Sequence, residues 1–155
     1  MATRETILAK EIFKKIEALT PENLDYASDD GVLKNHVGRT DEQLIVRSKV
    51  IKEDASSFFT KEDLKRCLLD YFNDPNGMKR VVSAVLDDFG GRLGGAATEG
   101  VLFDGDPIGR VCDYETLSVD DTWAYRIVFA FKGNCNYRNR ETFLPFDIIT
   151  IYPVQ

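Results

Sequence analysis

The chain has 155 residues, of which 43% are hydrophobic and 11% aromatic, and this fits one globular domain with a sizeable core. Its formal net charge of -6 argues against nucleic-acid binding through a global positive field, because phosphate affinity normally grows with lysine and arginine content. No apolar run approaches the roughly 20 residues of a membrane-spanning helix, and the N-terminus mixes charged and apolar residues too closely for a signal peptide. Any phosphate-binding site must therefore be local.

The first predicted element is an amphipathic helix over residues 4–19, which ends at Thr20-Pro21. Its apolar positions at helical spacing are Leu8, Ile12, Ile16 and Leu19. The polar stretch that follows, 21–35, contains Ser28-Asp29-Asp30-Gly31 and predicts a loop that ends near His36, the only histidine of the chain. Loops on rigid scaffolds commonly hold catalytic groups, so this position suits a catalytic histidine.

Three more helices are predicted before residue 90. Thr40 with Gln43 three residues later is a capping-box pattern, and it predicts a helix over 41–51. Thr60 caps the next helix, and Asp74-Pro75 can cap and begin another. The apolar stripes of these two helices are Leu64, Cys67, Leu68, Tyr71 and Phe72, and then Met78, Val81, Val82, Val85, Leu86 and Phe89. The sequence thus predicts a helical first part of the chain.

The C-terminal part reads as strands. Short apolar runs at 101–103 and 108–112 are bounded by Asp, Gly and Pro, and residues 123–131 alternate with a period of two. The predicted core face of this long strand is Trp123, Tyr125, Ile127, Phe129 and Phe131. In the last strand, Phe146, Ile148, Thr150 and Tyr152 are predicted to share one face. The fold class is therefore α+β, with N-terminal helices packed on a C-terminal antiparallel sheet.

The three cysteines, Cys67, Cys112 and Cys135, are interpreted as structural thiols in a reducing setting. They have no CxxC spacing, and their odd number leaves at least one thiol free. The sequence therefore predicts neither a zinc site nor a full disulfide framework.

Charge is unevenly distributed along the strands. Residues 97–122 hold seven acidic residues against one arginine, whereas residues 123–155 hold more cations than acids. The loop in this second segment offers a stacking ring and two cations, Tyr137, Arg138 and Arg140, which single-stranded RNA can use. We expect these three residues to bind substrate, although a plain solvated hairpin is equally consistent with the pattern.

Four side chains could carry chemistry. Arg47 interrupts an apolar stripe formed with Leu44 and Ile51, and a guanidinium on a buried side needs an anionic partner, either a structural carboxylate or a substrate phosphate. His36 is suited to proton transfer near neutral pH, although a lone histidine is more often a surface or core residue. Thr150 and Tyr152 offer two hydroxyls about 7 Å apart on one strand face, or they simply pack there.

Several separate segments stand in an informative order. They are His36-Val37-Gly38-Arg39-Thr40-Asp41-Glu42-Gln43-Leu44 followed by Arg47, then Ala55-Ser56-Ser57-Phe58, and the ending Phe146-Asp147-Ile148-Ile149-Thr150-Ile151-Tyr152-Pro153. Together they resemble the bacterial ribonuclease A-like toxin domain found at the C-terminus of contact-dependent growth inhibition proteins and other polymorphic toxins. The resemblance runs from about residue 36 to 152, so residues 1–35 are interpreted as an N-terminal helix and loop, a candidate linker or delivery segment, and 36–155 as the toxin domain.

The resemblance implies a fold and an activity. The fold would be the kidney shape of pancreatic ribonuclease without its disulfides. The activity would be RNA cleavage without metal or cofactor, by attack of the ribose 2'-hydroxyl on the adjacent phosphate. In this family the catalytic residues correspond to His36 as the general base, Arg47 as the group that stabilises the phosphorane, and Thr150 and Tyr152 as groups that position the phosphate or assist proton delivery.

The resemblance also implies partners and a place of action. The partners would be RNA, with transfer RNA as one candidate, and a cognate immunity protein, and the domain would be a monomer. The toxin would be secreted or delivered from the cell surface and would act in the cytoplasm of the target cell. The alternative is a non-catalytic α+β binding or immunity-type module, which the acidic net charge favours and the intact set of four site residues disfavours.

Overall fold

The computed structural model describes residues 3–23, 35–86, 95–102, 105–131 and 144–155. These residues form an α+β fold with four helices longer than ten residues and two three-stranded antiparallel sheets. In chain order the elements are α1 (Arg4–Ala18), α2 (Asp41–Ile51), β1 (Ala55–Phe58), α3 (Lys61–Asn73), α4 (Pro75–Leu86), β2 (Gly95–Val101), β3 (Gly109–Cys112), β4 (Val119–Thr122), β5 (Ala124–Ala130) and β6 (Asp147–Val154).

The predicted helix starts are confirmed. The Thr40 hydroxyl accepts a hydrogen bond from the Gln43 backbone N–H, and the Gln43 side-chain oxygen accepts one from the Thr40 backbone N–H, which completes the capping box of α2. Thr60 accepts from the backbone of Asp63 at the start of α3. Helix α1 packs against α3 and α4 and buries Ile12 and Ile16 in the main hydrophobic core. These caps, and the apolar stripes of α1 and α3, are therefore those that the fold uses.

The prediction that the first 90 residues are helical is wrong at β1. Residues Ala55–Phe58 form a strand between α2 and α3, and all four residues are buried. Two of them are serines, and the Ser57 hydroxyl is satisfied because it accepts from the Arg39 backbone and donates to the Phe58 carbonyl. Hydroxyl residues in a short buried strand give no apolar alternation, which is why the pattern did not reveal β1.

The single predicted sheet is divided into two. The first sheet has the order β1-β3-β4 and the second the order β2-β5-β6. The hairpin of β3 and β4 pairs with β1, which follows α2, and is not part of the C-terminal sheet. The two sheets meet where β1 and β3 contact β6.

The predicted alternation of β5 is confirmed over most of its length. Tyr125, Ile127, Phe129 and Phe131 are buried, whereas Trp123 remains 39% exposed and donates its indole N–H to the carbonyl of Gly105. Phe129 contacts the rings of Tyr71 and Phe72 on α3 and of Phe146 just before β6, and it lies at the centre of an aromatic cluster. The other face of β5 carries Arg126 and Val128, which line a cavity.

The last strand does not present one face throughout, as was predicted. Phe129 pairs with Ile148 and Val128 pairs with Thr150, so Ile149 is an extra residue in β6, a β-bulge. Beyond this bulge the alternation changes sides. Phe146 and Ile148 face the core, but so does Ile151, while Thr150 and Tyr152 line the cavity. The prediction that the four residues share a face is therefore wrong, although Thr150 and Tyr152 do share one.

The two cysteines in the described part of the chain are buried free thiols. Cys67 lies in the main core as predicted, and burial raises its pKa strongly. Cys112 packs with Leu44 and Ala55 in a smaller cluster under α2, and burial raises its pKa as well. Cys135 lies outside the described residues.

Candidate active site

A cavity of about 610 Å³ lies where the two sheets meet. Its lining includes His36, Arg47, Thr150 and Tyr152, the four residues predicted to be catalytic. They come from the segment before α2, from the adjacent helix α2, and from strand β6 near the other end of the sequence. The fold therefore brings together in one cavity the residues that the sequence motifs single out.

His36 is held along the edge of β1. Its Nδ1 lies 3.1 Å from the carbonyl oxygen of Ser56, and the next residues continue beside the strand, with the Gly38 backbone donating to the Phe58 carbonyl at 2.9 Å. A carbonyl oxygen can only accept, so Nδ1 carries the proton in this contact. In the neutral ring the lone pair then lies on Nε2, the nitrogen that a general base would use.

The imidazole of His36 also stacks on the ring of Tyr152. The ring centroids are 5.3 Å apart and the planes are inclined by 26°. Such offset stacking restricts the rotation of both side chains. His36 is held by the Ser56 carbonyl of β1, and Tyr152 belongs to β6. The stacked pair therefore links the two sheets within the cavity lining.

Arg47 is half-buried on α2 and donates from Nη1 to the Asn35 side-chain oxygen at 3.4 Å. Asn35 is a neutral acceptor, so this contact leaves the guanidinium charge uncompensated. The predicted apolar stripe with Leu44 and Ile51 is wrong, because the buried residues of α2 are Leu44 and Ser48 and Ile51 is 37% exposed. Arg47 lies beside the buried stripe, at the border where α2 meets the cavity.

Two site residues were not predicted from the sequence. Arg126 on β5 donates from Nη1 to the Tyr152 hydroxyl at 3.2 Å and from Nε to the Glu99 carboxylate at 2.9 Å. These hydrogen bonds, first that of Glu99 and then that of Tyr152, raise the pKa of Arg126. The sequence does place Arg126 on the polar face of an alternating strand, which was the only signal, and a solvated face gives the same pattern.

The cavity carries charge of both signs. Besides the two arginines, Glu53, Asp54 and Glu99 line it. Asp54 accepts a hydrogen bond from the Tyr114 backbone at 2.9 Å, and Glu99 is paired with Arg126. A phosphate here would depend on individual donors, since the surrounding potential is not uniformly positive.

In the described ranges, no group of three or more His, Cys, Asp or Glu residues is placed to hold a metal ion. In the same ranges no helix is both long and apolar enough to cross a membrane. The predicted substrate-binding residues Tyr137, Arg138 and Arg140 lie outside the described residues.

The two antiparallel sheets and the helices that cover them define an α+β fold with its cavity at the join of the sheets. A chain with this fold occurs in the crystal structure of a CdiA-CT/CdiI complex from Y. kristensenii 33638, with a TM-score of 0.60 and 20% sequence identity. The match covers 80% of the present chain and 98% of that chain. No protein-family model matches the sequence, and no curated protein matches it. At this identity the likeness shows a shared fold.

Proposed function

We propose that the protein is a metal-independent endoribonuclease toxin used in interbacterial competition. The observation that carries this proposal is that His36, Arg47, Thr150 and Tyr152 line one cavity. These are the residues that correspond to the catalytic set of the ribonuclease A-like toxin domain. A shared fold with a chain of a CdiA-CT/CdiI complex, a toxin and immunity system of contact-dependent growth inhibition, supports the same context.

The proposed reaction begins with His36 as the general base. With Nδ1 held by the Ser56 carbonyl, Nε2 takes the proton of a ribose 2'-hydroxyl. The 2'-oxygen then forms a bond to phosphorus, and the bond from phosphorus to the 5'-oxygen breaks. The 5'-oxygen leaves with a proton, and the products are a 2',3'-cyclic phosphate and a 5'-hydroxyl end.

The proposed roles of the other three residues are electrostatic. Arg47 is half-buried in the cavity lining and its hydrogen bond to the neutral Asn35 leaves the guanidinium positively charged, so it can stabilise the negative charge that develops on the phosphorane. The hydroxyls of Thr150 and Tyr152 lie on the same cavity wall, where they can position the phosphate or assist proton delivery to the leaving oxygen. Removal of one such donor typically lowers the rate about 10²- to 10³-fold.

The remaining parts of the proposal follow from the resemblance. They are the kidney shape of pancreatic ribonuclease without disulfides, substrate contacts by Tyr137, Arg138 and Arg140, and a monomeric domain. RNA, with transfer RNA as one candidate, is the proposed substrate, and a cognate immunity protein is the proposed partner. The proposed route is secretion or surface delivery followed by action in the cytoplasm of the target cell.

The test is incubation of the purified protein with total cellular RNA in excess EDTA, with the product ends identified. We expect cleavage that leaves 2',3'-cyclic phosphates, and no cleavage by His36→Ala. Lys49→Ala is a matched control because Lys49 lies on the exposed side of α2 and is not part of the cavity lining. Circular dichroism of each variant shows whether the fold is retained. Cleavage by His36→Ala at the wild-type rate would contradict the assignment of the base.

A second proposal is a non-catalytic binding or immunity-type module. It is favoured by the net charge of -6 and by the carboxylates of Glu53, Asp54 and Glu99 in the cavity lining. The same assay separates the two proposals. A folded wild-type protein that leaves all RNA intact, with or without EDTA, supports the binding module.

A further inference from the structure

Three residues stand side by side across the C-terminal sheet. Glu99 on β2 is directly opposite Arg126 on β5, and Arg126 is directly opposite Tyr152 on β6. Residues that are directly opposite on neighbouring strands point to the same face of the sheet. All three line the cavity, so the row ends at the ring on which His36 stacks.

The hydrogen bonds along this row have only one possible direction. A guanidinium has donors and no acceptor, so the Tyr152 hydroxyl oxygen must accept from Arg126. The one proton of the phenol is then directed away from Arg126. Tyr152 lines the cavity, and a phosphate oxygen or leaving oxygen bound there would accept that proton.

Glu99 determines where the guanidinium lies. Both Nε and Nη2 of Arg126 bind the same Glu99 carboxylate oxygen, which leaves Nη1 for Tyr152. The Glu99 and Arg126 side chains are 55% and 40% exposed, and an ion pair at that exposure contributes little to stability. The Glu99–Arg126 pair therefore contributes more to the orientation of the guanidinium than to the stability of the fold.

We propose that Arg126, held by Glu99, is a positioning residue that orients the Tyr152 hydroxyl as a proton donor toward the cavity. This inference rests on the proposed ribonuclease function, because only a bound phosphate gives the donor a role. Arg126 acts through Tyr152 and not on the substrate itself.

The first experiment is a double-mutant cycle on cleavage of a fluorescent RNA oligonucleotide that contains all four bases. Arg126→Gln is expected to lower kcat about 10- to 100-fold with little change in KM, because a small misplacement of a reacting group is costly. In the Tyr152→Phe background, the same substitution is expected to have no further effect. An equal loss of kcat in both backgrounds would overturn the proposal.

Arg110→Gln is the matched control. Arg110 is 42% exposed and pairs with Asp41 and Asp121, but it is not part of the cavity lining. Its substitution removes the same charge and a comparable ion pair at a distance from the site. We expect kcat to remain within twofold of the wild-type value, since surface pairs of this kind are worth little.

The second experiment does not depend on activity. His36 is the only histidine, so its imidazole Cε1–H signal is unambiguous in NMR spectra, and the stacked ring of Tyr152 shifts it. At one fixed pH, Tyr152→Leu gives the position of the unstacked signal. Arg126→Gln and Tyr152→Phe remove the same hydrogen bond from a ring that stays beside His36, so both are expected to move the signal part of the way toward that position. An Arg126→Gln signal at the wild-type position would overturn the positioning role. A wild type that does not cleave RNA would instead overturn the proposed function, and the NMR comparison would still decide the role of Arg126.

Discussion

The His36 imidazole and the Tyr152 ring are stacked at 5.3 Å, although the two residues lie in the first third and at the end of the chain. The proposed base and a proposed proton donor are therefore packed against each other by the fold. The ring of Tyr152 fixes one face of the imidazole, while its hydroxyl binds Arg126. The ring and the hydroxyl consequently have roles that can be separated by substitution.

Tyr152→Phe keeps the stacked ring and removes the hydroxyl, whereas Tyr152→Leu removes both. We expect Tyr152→Phe to lower kcat about 10²-fold through the lost donor, and Tyr152→Leu to lower it further because His36 loses its stacking partner. Steady-state cleavage of an RNA oligonucleotide measures both. Equal kcat values for Tyr152→Phe and the wild type would show that the hydroxyl takes no part in the reaction.

Arg47→Ala removes the half-buried guanidinium from the cavity. We expect a loss of about 10²- to 10³-fold in kcat, because the charge that develops on the phosphorane loses its counter-charge. Lys49→Ala on the same helix removes the same charge from an exposed position and is expected to keep nearly full activity. If both variants lost activity equally, net charge and not the local contact would be responsible.

The sequence predicted the helices well because their caps and stripes are local signals. Thr40 with Gln43 specifies the start of α2 without help from the rest of the fold. The order of several motifs also singled out the four proposed catalytic residues, which line one cavity. The cavity that joins them could not be predicted, since it depends on how β1 and β6 meet.

Most of the features that were missed are non-local. β1 has no apolar alternation, and its burial follows from its pairing with β3. Arg126 and Glu99 look like solvated residues until β2, β5 and β6 are placed side by side. In β6 the bulge does have a local signal, since the apolar residues Ile148 and Ile149 are adjacent and interrupt the alternation, but Tyr152 is compatible with either face.

Gly109 is required where β3 passes β1. A Cβ at this position would lie 2.2 Å from the Ser57 carbonyl oxygen and 2.9 Å from the Phe58 Cα, and these backbone atoms cannot move without disturbing the sheet. We expect Gly109→Ala to lower the free energy of unfolding by about 3 kcal/mol, as overpacked positions do. Urea denaturation measures this value.

Gly38→Ala is the comparison for Gly109→Ala. Gly38 has a φ of +72°, and nothing lies within 4 Å of a Cβ built there. The cost should therefore be only the left-handed backbone conformation, about 1 kcal/mol. A larger loss for Gly38→Ala than for Gly109→Ala would contradict the packing argument.

The buried thiol of Cys67 makes the free energy of unfolding depend on pH in the alkaline range. Burial raises the pKa of this thiol above its ordinary value of 9.0, so above pH 9 the unfolded chain loses a proton that the folded chain keeps. The folded state then binds more protons, and stability falls as pH rises, by about 1.4 kcal/mol per pH unit for one such group. We expect urea denaturation between pH 9 and 10 to show a smaller fall for Cys67→Ala than for the wild type. Parallel curves for the two proteins would mean that the thiol titrates alike in both states.

The extra residue in β6 shifts the alternation of side chains by one position, so the residues before and after the bulge follow different registers between core and cavity. Ile148 faces the core, whereas Thr150 and Tyr152 face the cavity, and the shift occurs at Ile149. Insertion or deletion of one residue in the strand would exchange the core-facing and cavity-facing positions, which no single substitution can do. Two chains of this fold can therefore carry the same closing motif and differ completely in whether its hydroxyls reach the cavity.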